Sequence, residues 1–512
     1  METTNDRLSE AALIAPIRLS NYISGQFKEP STQHYIESPN PATGLTHALV
    51  PDSAAVDVDD AVAAAKAAFP EWSATPRSKR SALLMRIADL LEQRLDAFAI
   101  QESRDQGKPI ILQLVLRVFG YLGWWLWECK PISLATSIDI PRAIHNFRFF
   151  ATSILHQQES TSVLDGVALS YVHRSAVGVA GLISPWNLPL YLLTWKIAWM
   201  YLCMQTKRNH KCDCVDAVLD SSRGWIACRV VNMVFGTGPA VGAPLVAHKD
   251  VPLISFTGGT STGEIIYKAA SALNKKLSLE LGGKNANIVF SDADFEDAVS
   301  TSIRSSFANQ GEICLCGSRI FVHEDIFDRF VAELAKRTDA LIVGDPALPT
   351  TQVGALVSKE HMEKVMSYVS IAKQEGGKII AGGNRELSNG LAAGCFFRPT
   401  VITAVHPCDA RVQQEEIFGP IVTVSPFKTD EEAISYANST KYGLSASVWT
   451  QNVKRAHTIG QKLHVGTVWI NCWMVRDLNM PFGGMKMSGL GREGRHHSMD
   501  FFCEETTVCV KL

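Results

Sequence analysis

The 512-residue chain lacks an excess of charge of either sign, since 49 Lys and Arg residues stand against 51 Asp and Glu residues. This balance argues against a nucleic-acid binder that relies on a strong positive field. The counts of 36 Gly and 22 Pro lack the excess that marks collagen-like or disordered chains. Twelve cysteines in a chain this long do not form a disulfide scaffold. We therefore expect a reduced, cytoplasmic protein in which any special cysteine is catalytic rather than structural.

Targeting and membrane segments are also missing from the pattern. Residues 1–20 lack the basic region and the apolar run of a signal peptide, and they are too acidic for a transit peptide. We interpret them as an extension before a first strand at 22–27. The apolar stretch 110–127 carries a single charge, Arg117, and is borderline in length for a membrane span. A buried helix and a segment foreign to the native fold are the alternatives, and we predict no membrane association.

The remaining pattern is typical of a doubly wound α/β protein. Apolar residues at three- and four-residue spacing predict helices at 56–69 and 81–99. Short apolar runs predict buried parallel strands at 176–184, 230–235, 251–256 and 287–290. Strands that alternate with helices indicate an α/β fold. A second helix–strand series over 295–424 follows without a polar linker, so we expect two α/β domains that share an interface.

Two motifs follow predicted strands. Ser-Pro-Trp-Asn-Leu-Pro at 184–189 places Asn187 where its amide could face a developing oxyanion or, alternatively, cap a helix. Phe-Thr-Gly-Gly-Thr-Ser-Thr-Gly at 256–263 could hold a pyrophosphate at a helix N-terminus, although an ordinary strand–turn–helix also uses glycine.

Three further motifs carry ionisable or nucleophilic groups. Leu-Glu-Leu-Gly-Gly-Lys at 279–284 makes Glu280 either a general base with a raised pKa or one half of an ion pair. Cys314, in a Gly-Glu-Ile-Cys-Leu-Cys run, is a nucleophile activated as thiolate by a helix dipole or cation, or a buried apolar residue. No second Cys or His pair follows at zinc spacing, so no metal is predicted. Glu416 could bind ribose hydroxyls beside Phe418.

Together and in this order, these motifs resemble the aldehyde dehydrogenase superfamily over nearly the whole chain, and the interval from Glu280 to Cys314 matches the usual family spacing. Segments 186–198, 305–316 and 471–486 are similar to its 2-aminomuconic semialdehyde dehydrogenase branch, also described as a retinal dehydrogenase. The resemblance implies a Rossmann-type NAD-binding domain, an α/β catalytic domain and a small β oligomerisation arm. The implied boundaries are 1–156 and 173–281, then 282–482, then 157–172 and 483–512. A homodimer or homotetramer is implied as well.

The resemblance also implies roles for individual residues. Cys314 would attack the aldehyde, Asn187 and the Cys314 backbone N–H would hold the oxyanion, and Glu280 would activate the water that releases the acid. NAD would accept the hydride, and no metal is required. The expected cofactor-binding residues are Ile183, Pro185, Trp186, Gly238, Thr257, Gly258, Gly263, Leu281, Glu416 and Phe418.

The branch resemblance implies an acidic aldehyde as substrate. Arg142 and Arg476 are the candidates for binding its distal carboxylate, with surface or interdomain salt bridges as the alternative. The predicted function is NAD-dependent oxidation of 2-aminomuconic semialdehyde in tryptophan and kynurenine catabolism. A retinal-type aldehyde as substrate and a catalytically impaired member of the family are the alternatives.

Two segments depart from the family pattern. Residues 199–228 lack the Lys-Pro-Ser-Glu-like motif whose Lys and Glu bind the adenosine ribose in the family. Residues 206–211 can be encoded by bases that read Lys-Pro-Ser-Glu-Ile-Thr in a shifted frame, so we interpret 199–228 as a frameshifted segment. Lys-Pro-Ile at 108–110 recurs at 130–132, and we interpret 111–132 as a foreign insert. The impaired alternative rests on the missing ribose motif.

Overall fold

The computed structural model describes residues 15–108, 138–198 and 230–512. Its α-helices are α1 (Ala55–Ser73), α2 (Arg77–Gln93), α3 (Leu95–Gln106), α4 (Ile140–Ser153), α5 (Pro189–Ile197), α6 (Ala243–Ala247), α7 (Thr260–Ser271), α8 (Phe295–Phe307), α9 (Phe327–Asp339), α10 (Lys359–Gln374), α11 (Arg411–Gln414), α12 (Asp430–Asn438), α13 (Val453–Lys462) and α14 (Arg495–Phe502). Short 3₁₀ turns occur at Ile154–His156, Ala308–Gly311, Glu324–Ile326 and Leu391–Ala393, and a π-helical turn at Gly238–Gly242.

The strands between these helices belong to several sheets. They are β1 (Ile17–Arg18), β2 (Asn21–Ile23), β3 (Gln26–Lys28), β4 (Tyr35–Pro39), β5 (Thr46–Pro51), β6 (Thr161–Leu164), β7 (Ala168–Ala176), β8 (Ala180–Ile183), β9 (Leu253–Thr257), β10 (Lys276–Glu280), β11 (Ala286–Val289), β12 (Arg319–His323), β13 (Lys378–Ala381), β14 (Thr400–Thr403), β15 (Ile421–Phe427), β16 (Tyr442–Gly443), β17 (Ser445–Trp449), β18 (Thr467–Ile470), β19 (Met485–Lys486), β20 (Gly489–Leu490) and β21 (Cys503–Lys511).

The first α/β unit contains a four-stranded sheet in the order β20-β10-β9-β8. β8, β9 and β10 are parallel, and β20 pairs antiparallel with β10. β8 and β9 are buried along their whole length, as the short apolar runs at 176–184 and 251–256 predict. Since parallel strands run the same way, their carboxyl ends meet at one edge of the sheet.

The second α/β unit is built on a seven-stranded sheet in the order β13-β14-β15-β12-β11-β17-β18. All its pairs are parallel except β13 with β14. Successive residues of β11 face opposite sides, so Val289 packs with α8 and α9 while Ile288 packs with α12 and α13. Both faces are therefore covered by helices, and the predicted α/β fold class is confirmed.

A third, antiparallel sheet in the order β21-β7-β6 joins two distant parts of the chain. β7 extends to Ala176, beyond the predicted end of the arm at 172, and pairs along its full length with β21. Within 483–512, the strand β20 pairs with β10 and so lies in the first α/β unit. The predicted limits of the arm, 157–172 and 483–512, stay a prediction beside these two pairings.

The helix predicted at 56–69 corresponds to α1. The single helix predicted at 81–99 was wrong, because two helices, α2 and α3, occupy this range. α2 ends and α3 begins at Arg94, whose φ of −114° and ψ of 18° lie outside the helical range. The apolar spacing continues across this residue because both helices bury the same side against one core.

The strand predicted at 22–27 is a hairpin of β2 and β3, because Ser24 and Gly25 have φ values of 54° and 81°. The strand predicted at 230–235 was wrong. Within the described ranges this segment forms only an isolated bridge between Met233 and Tyr22. The Phe235 N–H donates to a side chain instead of a neighbouring strand, since Asn21 Oδ1 accepts from it at 3.0 Å.

The predicted insert at 111–132, the predicted frameshift at 199–228 and the apolar stretch 110–127 lie outside the described residues. Among the helices that are described, none combines the length and the apolar character needed to cross a bilayer.

Candidate active site

The carboxyl ends of β8, β9 and β10 bring three of the predicted site residues together. The register pairs Ile183 with Phe256, and Thr257 with Glu280. The Gly258 N–H donates to the Glu280 carbonyl oxygen at 3.0 Å, which ties the glycine turn to β10. In open α/β sheets ligands bind beyond this edge of the strands.

The loop from Thr257 to Gly263 has the shape of an anion cradle. α7 begins at Thr260, directly after two glycines, so the first N–H groups of the helix are directed toward the sheet edge. A Cβ at Gly263 would lie 2.4 Å from Leu281 Cδ2, and one at Gly258 would lie 2.5 Å from the Phe256 ring. These glycines are required for close packing of turn, helix and strand, and the cradle fits the pyrophosphate of a dinucleotide.

A second group of predicted cofactor residues surrounds the loop after β8. The Trp186 and Phe418 rings meet edge to face at 5.4 Å. Glu416 Oε1 accepts from the Gly283 N–H at 2.9 Å. Pro185 lies in the same loop as Trp186, and Gly238 begins the π-helical turn with open space where a Cβ would be.

His361, on α10, is a member of this group that the sequence did not indicate. Its ring lies 5.7 Å from that of Trp186, and its Nε2 lies 2.6 Å from the Phe418 carbonyl oxygen. Burial lowers the pKa of His361 to about 4, so the ring is neutral at pH 7. Nε2 then carries the proton that Phe418 accepts. No local motif marks this histidine, and only the fold brings it to the site.

The segment before Cys314 is held in a tight left-handed turn. Asn309, Gln310 and Gly311 have φ values of 50°, 55° and 73°. The Asn187 amide nitrogen donates to the Glu312 carbonyl oxygen at 2.8 Å, so Asn187 lies beside the cysteine loop. One amide N–H is used in this bond, and the second has no acceptor among the described residues, as the predicted oxyanion role requires. The two predicted catalytic residues are therefore adjacent in the fold.

The Cys314 side chain is partly exposed. Loss of solvent around its sulfur raises the pKa of the thiol, and the Glu416 and Glu280 carboxylates raise it further. The Arg476 guanidinium opposes this rise but does not overcome it. These surroundings oppose the expected activation of Cys314 as a thiolate by a helix dipole or a cation. A base that accepts the thiol proton would favour attack.

Glu280 has the properties of such a base. Its carboxyl is buried, and its Oε1 has no hydrogen-bond partner within the described residues. Burial raises its pKa well above the ordinary value, and the nearby Glu493 carboxylate raises it further, while Lys196 and Arg476 oppose the rise. The raised pKa predicted for Glu280 is present in the structure.

Lys196 and Glu493 form an ion pair behind Glu280 that the sequence did not reveal. Lys196 Nζ lies 3.0 Å from Glu493 Oε1 and 2.9 Å from Ser255 Oγ, and its side chain is 1% exposed. A lone lysine in the apolar sequence of α5 is the one signal that could have drawn attention to this pair.

The two arginines predicted to bind substrate meet at Tyr191. Arg476 Nη1 donates to the Tyr191 hydroxyl at 2.7 Å, and its guanidinium lies 4.6 Å from the Trp195 ring centroid and 3.9 Å from that of Phe482. The Arg142 guanidinium lies 5.6 Å from the Tyr191 ring centroid.

Neither arginine forms a salt bridge in the described part of the chain, so the salt-bridge alternative has no support there. Arg142 Nη2 donates to the Met474 carbonyl oxygen at 3.1 Å. Arg142 Nη1 is buried and has no hydrogen-bond partner among the described residues. A buried, unsatisfied charged donor is costly, so Arg142 stays a candidate for ligand binding.

Comparison with known proteins identifies the family. The model of the aldehyde dehydrogenase family matches residues 27–119 and 126–508, and its interruption at 120–125 lies inside the predicted insert. The chain belongs to the aldehyde dehydrogenase family. Both the predicted family and the predicted fold class are thus confirmed.

Individual relatives of this aldehyde dehydrogenase match over nearly their full length. The 2-aminomuconic semialdehyde dehydrogenase of Danio rerio is 46% identical over 507 residues, covering 96% of this chain and 98% of the relative. The 2-hydroxymuconic semialdehyde dehydrogenase of Pseudomonas sp. strain CF600 is 40% identical, covering 96% and 98%. The structure of an NAD+ complex of an aldehyde dehydrogenase from Bacillus cereus matches with a TM-score of 0.89 at 35% identity, covering 98% of each chain.

Proposed function

We propose that this aldehyde dehydrogenase uses NAD to oxidise an aldehyde that carries a distal carboxylate, of the 2-aminomuconic semialdehyde class. The observation that carries the substrate class is the pair of arginines at Tyr191, one of which has a buried and unsatisfied Nη1. Guanidinium is the natural partner of a carboxylate, because it offers paired donors in a plane. The relatives named for 2-aminomuconic and 2-hydroxymuconic semialdehydes support the same class.

The catalytic steps assigned to the protein's own residues follow from the site geometry. Cys314 attacks the aldehyde carbon after its thiol proton has passed to a base. The oxyanion that forms accepts from the free amide N–H of Asn187 and from the Cys314 backbone N–H. NAD, when bound, supplies the hydride acceptor. The Gly258–Gly263 turn would hold its pyrophosphate, Glu416 would hold a ribose, and Phe418 and Trp186 would flank it.

Glu280 then acts as the general base that activates water for release of the acid from the Cys314 thioester. Its raised pKa makes it a stronger base than an exposed glutamate. The Lys196–Glu493 pair fixes its electrostatic surroundings, because Glu493 favours the protonated form of Glu280 and Lys196 favours the ionised form.

A retinal-type substrate is the less favourable alternative. Its apolar tail offers no acceptor to the buried Arg142 Nη1, and unsatisfied buried donors discriminate strongly against such ligands. An acidic semialdehyde satisfies both arginines. Oxidation of a substrate of this class places the protein in tryptophan catabolism, as the branch resemblance implies.

The assembly and location that we propose are a homodimer or homotetramer in the cytoplasm. The arm sheet supports the assembly, because β6 is exposed along its whole length and forms one edge of the β21-β7-β6 sheet. Such an edge presents unpaired backbone groups that can pair with a second chain.

The substrate proposal is tested with two aldehydes of equal length, 6-oxohexanoate and hexanal, which differ in the distal carboxylate. NADH absorbance gives KM and kcat for the wild type and for Arg142→Ala and Arg476→Ala. We expect each variant to raise KM for 6-oxohexanoate about 10- to 100-fold, since a hydrogen bond to a charged group contributes about 1.5–3 kcal/mol. The KM for hexanal should change by less than about twofold.

Arg148→Ala is the matched control, because Arg148 lies on α4 like Arg142 but pairs with Asp89 and Glu92 on the surface. An equal rise of KM for both aldehydes in Arg142→Ala and Arg476→Ala contradicts the carboxylate site. NAD titration monitored by protein fluorescence distinguishes the active enzyme from the catalytically impaired alternative. The impaired alternative predicts no saturable NAD binding.

A further inference from the structure

Tyr191 occupies the point at which the two substrate arginines converge. Its hydroxyl accepts from Arg476 Nη1 at 2.7 Å, and its ring centroid lies 5.6 Å from the Arg142 guanidinium carbon. The side chain packs in the same apolar cluster as Cys314 and Phe482, so the hydroxyl is close to the reaction site. Neither composition nor motif spacing drew attention to this residue.

The position of Tyr191 is fixed from its backbone outward. Its carbonyl oxygen accepts from Asn146 Nδ2 at 3.3 Å and from Thr194 Oγ1 at 2.9 Å. The residue is 4% exposed and lies in the first turn of α5, four residues after Asn187. One short segment of chain therefore holds both the oxyanion amide and the tyrosine at the distal end of the substrate.

Among the described residues, the Tyr191 hydroxyl accepts a hydrogen bond but donates none. A phenol offers one O–H donor and accepts through its lone pairs. In the described part of the chain the Tyr191 oxygen accepts from Arg476, while no acceptor is present for its own hydrogen. Arg142 Nη1 is a second buried donor without an acceptor beside the same ring. The unused O–H of Tyr191, the unused Nη1 of Arg142 and the Arg476 guanidinium are chemically complementary to a single carboxylate.

We infer that Tyr191 is a specificity-determining residue whose hydroxyl donates to the distal carboxylate of the substrate, together with Arg142 and Arg476. This inference rests on the proposed acidic substrate and adds a third, uncharged donor to it. Because the hydroxyl also accepts from Arg476, it holds that guanidinium in the orientation that the carboxylate needs. Tyr191 thus acts on binding of the acidic end and not on the chemistry at Cys314.

The test is the variant Tyr191→Phe, which keeps the ring and removes only the hydroxyl. We expect KM for 6-oxohexanoate to rise about tenfold with kcat within about twofold, and the KM for hexanal to stay within about twofold. Binding of monomethyl adipate, measured by calorimetry without turnover, should weaken about tenfold as well. Tyr171→Phe, on the exposed face of the arm strand β7, is the matched control and should change neither value.

Each other outcome overturns a stated part of the reasoning. If Tyr191→Phe raises KM for both aldehydes equally, the hydroxyl has a packing role and the inference is wrong. If Tyr191→Phe changes nothing while Arg142→Ala and Arg476→Ala act selectively on 6-oxohexanoate, the inference fails and the proposed function stands. If the arginine variants also fail to discriminate the two aldehydes, the acidic substrate class is refuted and the inference falls with it.

Discussion

Replacement of Lys108 by Met should destabilise this aldehyde dehydrogenase in a manner that depends on pH. Lys108 is fully buried, and its Nζ lies 2.5 Å from both Glu102 Oε2 and Asp139 Oδ2. Glu102 Oε1 also accepts from the Leu190 N–H at 3.1 Å, so the triad supports the start of α5 beside Asn187. Removing the cation leaves two buried carboxyls without their counter-charge.

The size of the effect follows from the cost of an unpaired buried charge. Breaking a buried ion pair from one side costs about 3–5 kcal/mol, a large part of a typical stability of about 5–15 kcal/mol. Burial raises the pKa of Asp139 to about 6 even though Lys108 opposes the rise. Since this folded pKa lies above the ordinary value of 3.8, ionisation of Asp139 removes stability as pH rises from about 4 to about 6, and the loss is constant above that range.

Without Lys108 the pKa of Asp139 rises further, so the loss of stability should be large at pH 8 and small at pH 5. We expect the unfolding midpoint of Lys108→Met to fall by about 3–5 °C at pH 8, by calorimetry at matched protein concentration. The triple variant with Glu102→Gln and Asp139→Asn carries no buried charge and should regain most of the loss. An equal fall of the unfolding midpoint at both pH values would refute the reasoning. A loss of unfolding free energy at pH 8 of less than about 1 kcal/mol would refute it as well.

Two further variants test the base and the cradle. Glu280→Gln should lower steady-state turnover about 10²- to 10⁴-fold and abolish the pH dependence that Glu280 confers. NADH absorbance from pH 6 to 9 measures both effects. Unchanged turnover would show that Glu280 is not part of the mechanism. Gly263→Ala places a Cβ 2.4 Å from Leu281 Cδ2 and should weaken NAD binding about tenfold in a fluorescence titration, while Gly460→Ala on α13, where a Cβ has room, should leave it unchanged. Equal affinities in the two glycine variants would contradict the assigned cradle.

The sequence predicts those helices and strands whose type is determined by a single local residue pattern. Short buried runs correctly predict β8, β9 and β11, because strands covered on both faces carry continuous apolar residues. At 230–235 the same kind of apolar run forms no strand: Met233 bonds to Tyr22 as an isolated bridge, and the Phe235 N–H donates to the Asn21 side chain. An apolar run predicts burial, and burial alone does not specify hydrogen-bond partners.

The active site likewise contains residues that a local motif predicts and residues that only tertiary packing brings together. Cys314, Glu280 and Asn187 each follow a recognisable motif, and their proximity follows from strand ends and a turn. Lys196 and Glu493 are 297 positions apart, and no spacing rule links them. Their pairing depends on α5 and the segment after β20 meeting behind β10, which tertiary packing alone determines.

The Arg476 guanidinium also acts on the reacting groups. Its positive charge lowers the proton affinity of Glu280 and of the Cys314 thiol. A substrate carboxylate bound to Arg476 cancels part of that field, so an acidic substrate makes Glu280 a stronger base than a neutral aldehyde does. By linkage, protonation of Glu280 must in turn strengthen binding of the acidic substrate. With the proposed binding to Arg476, the protein is expected to take up part of a proton when the acidic substrate binds, so that the substrate's own distal charge adjusts the base that completes its oxidation.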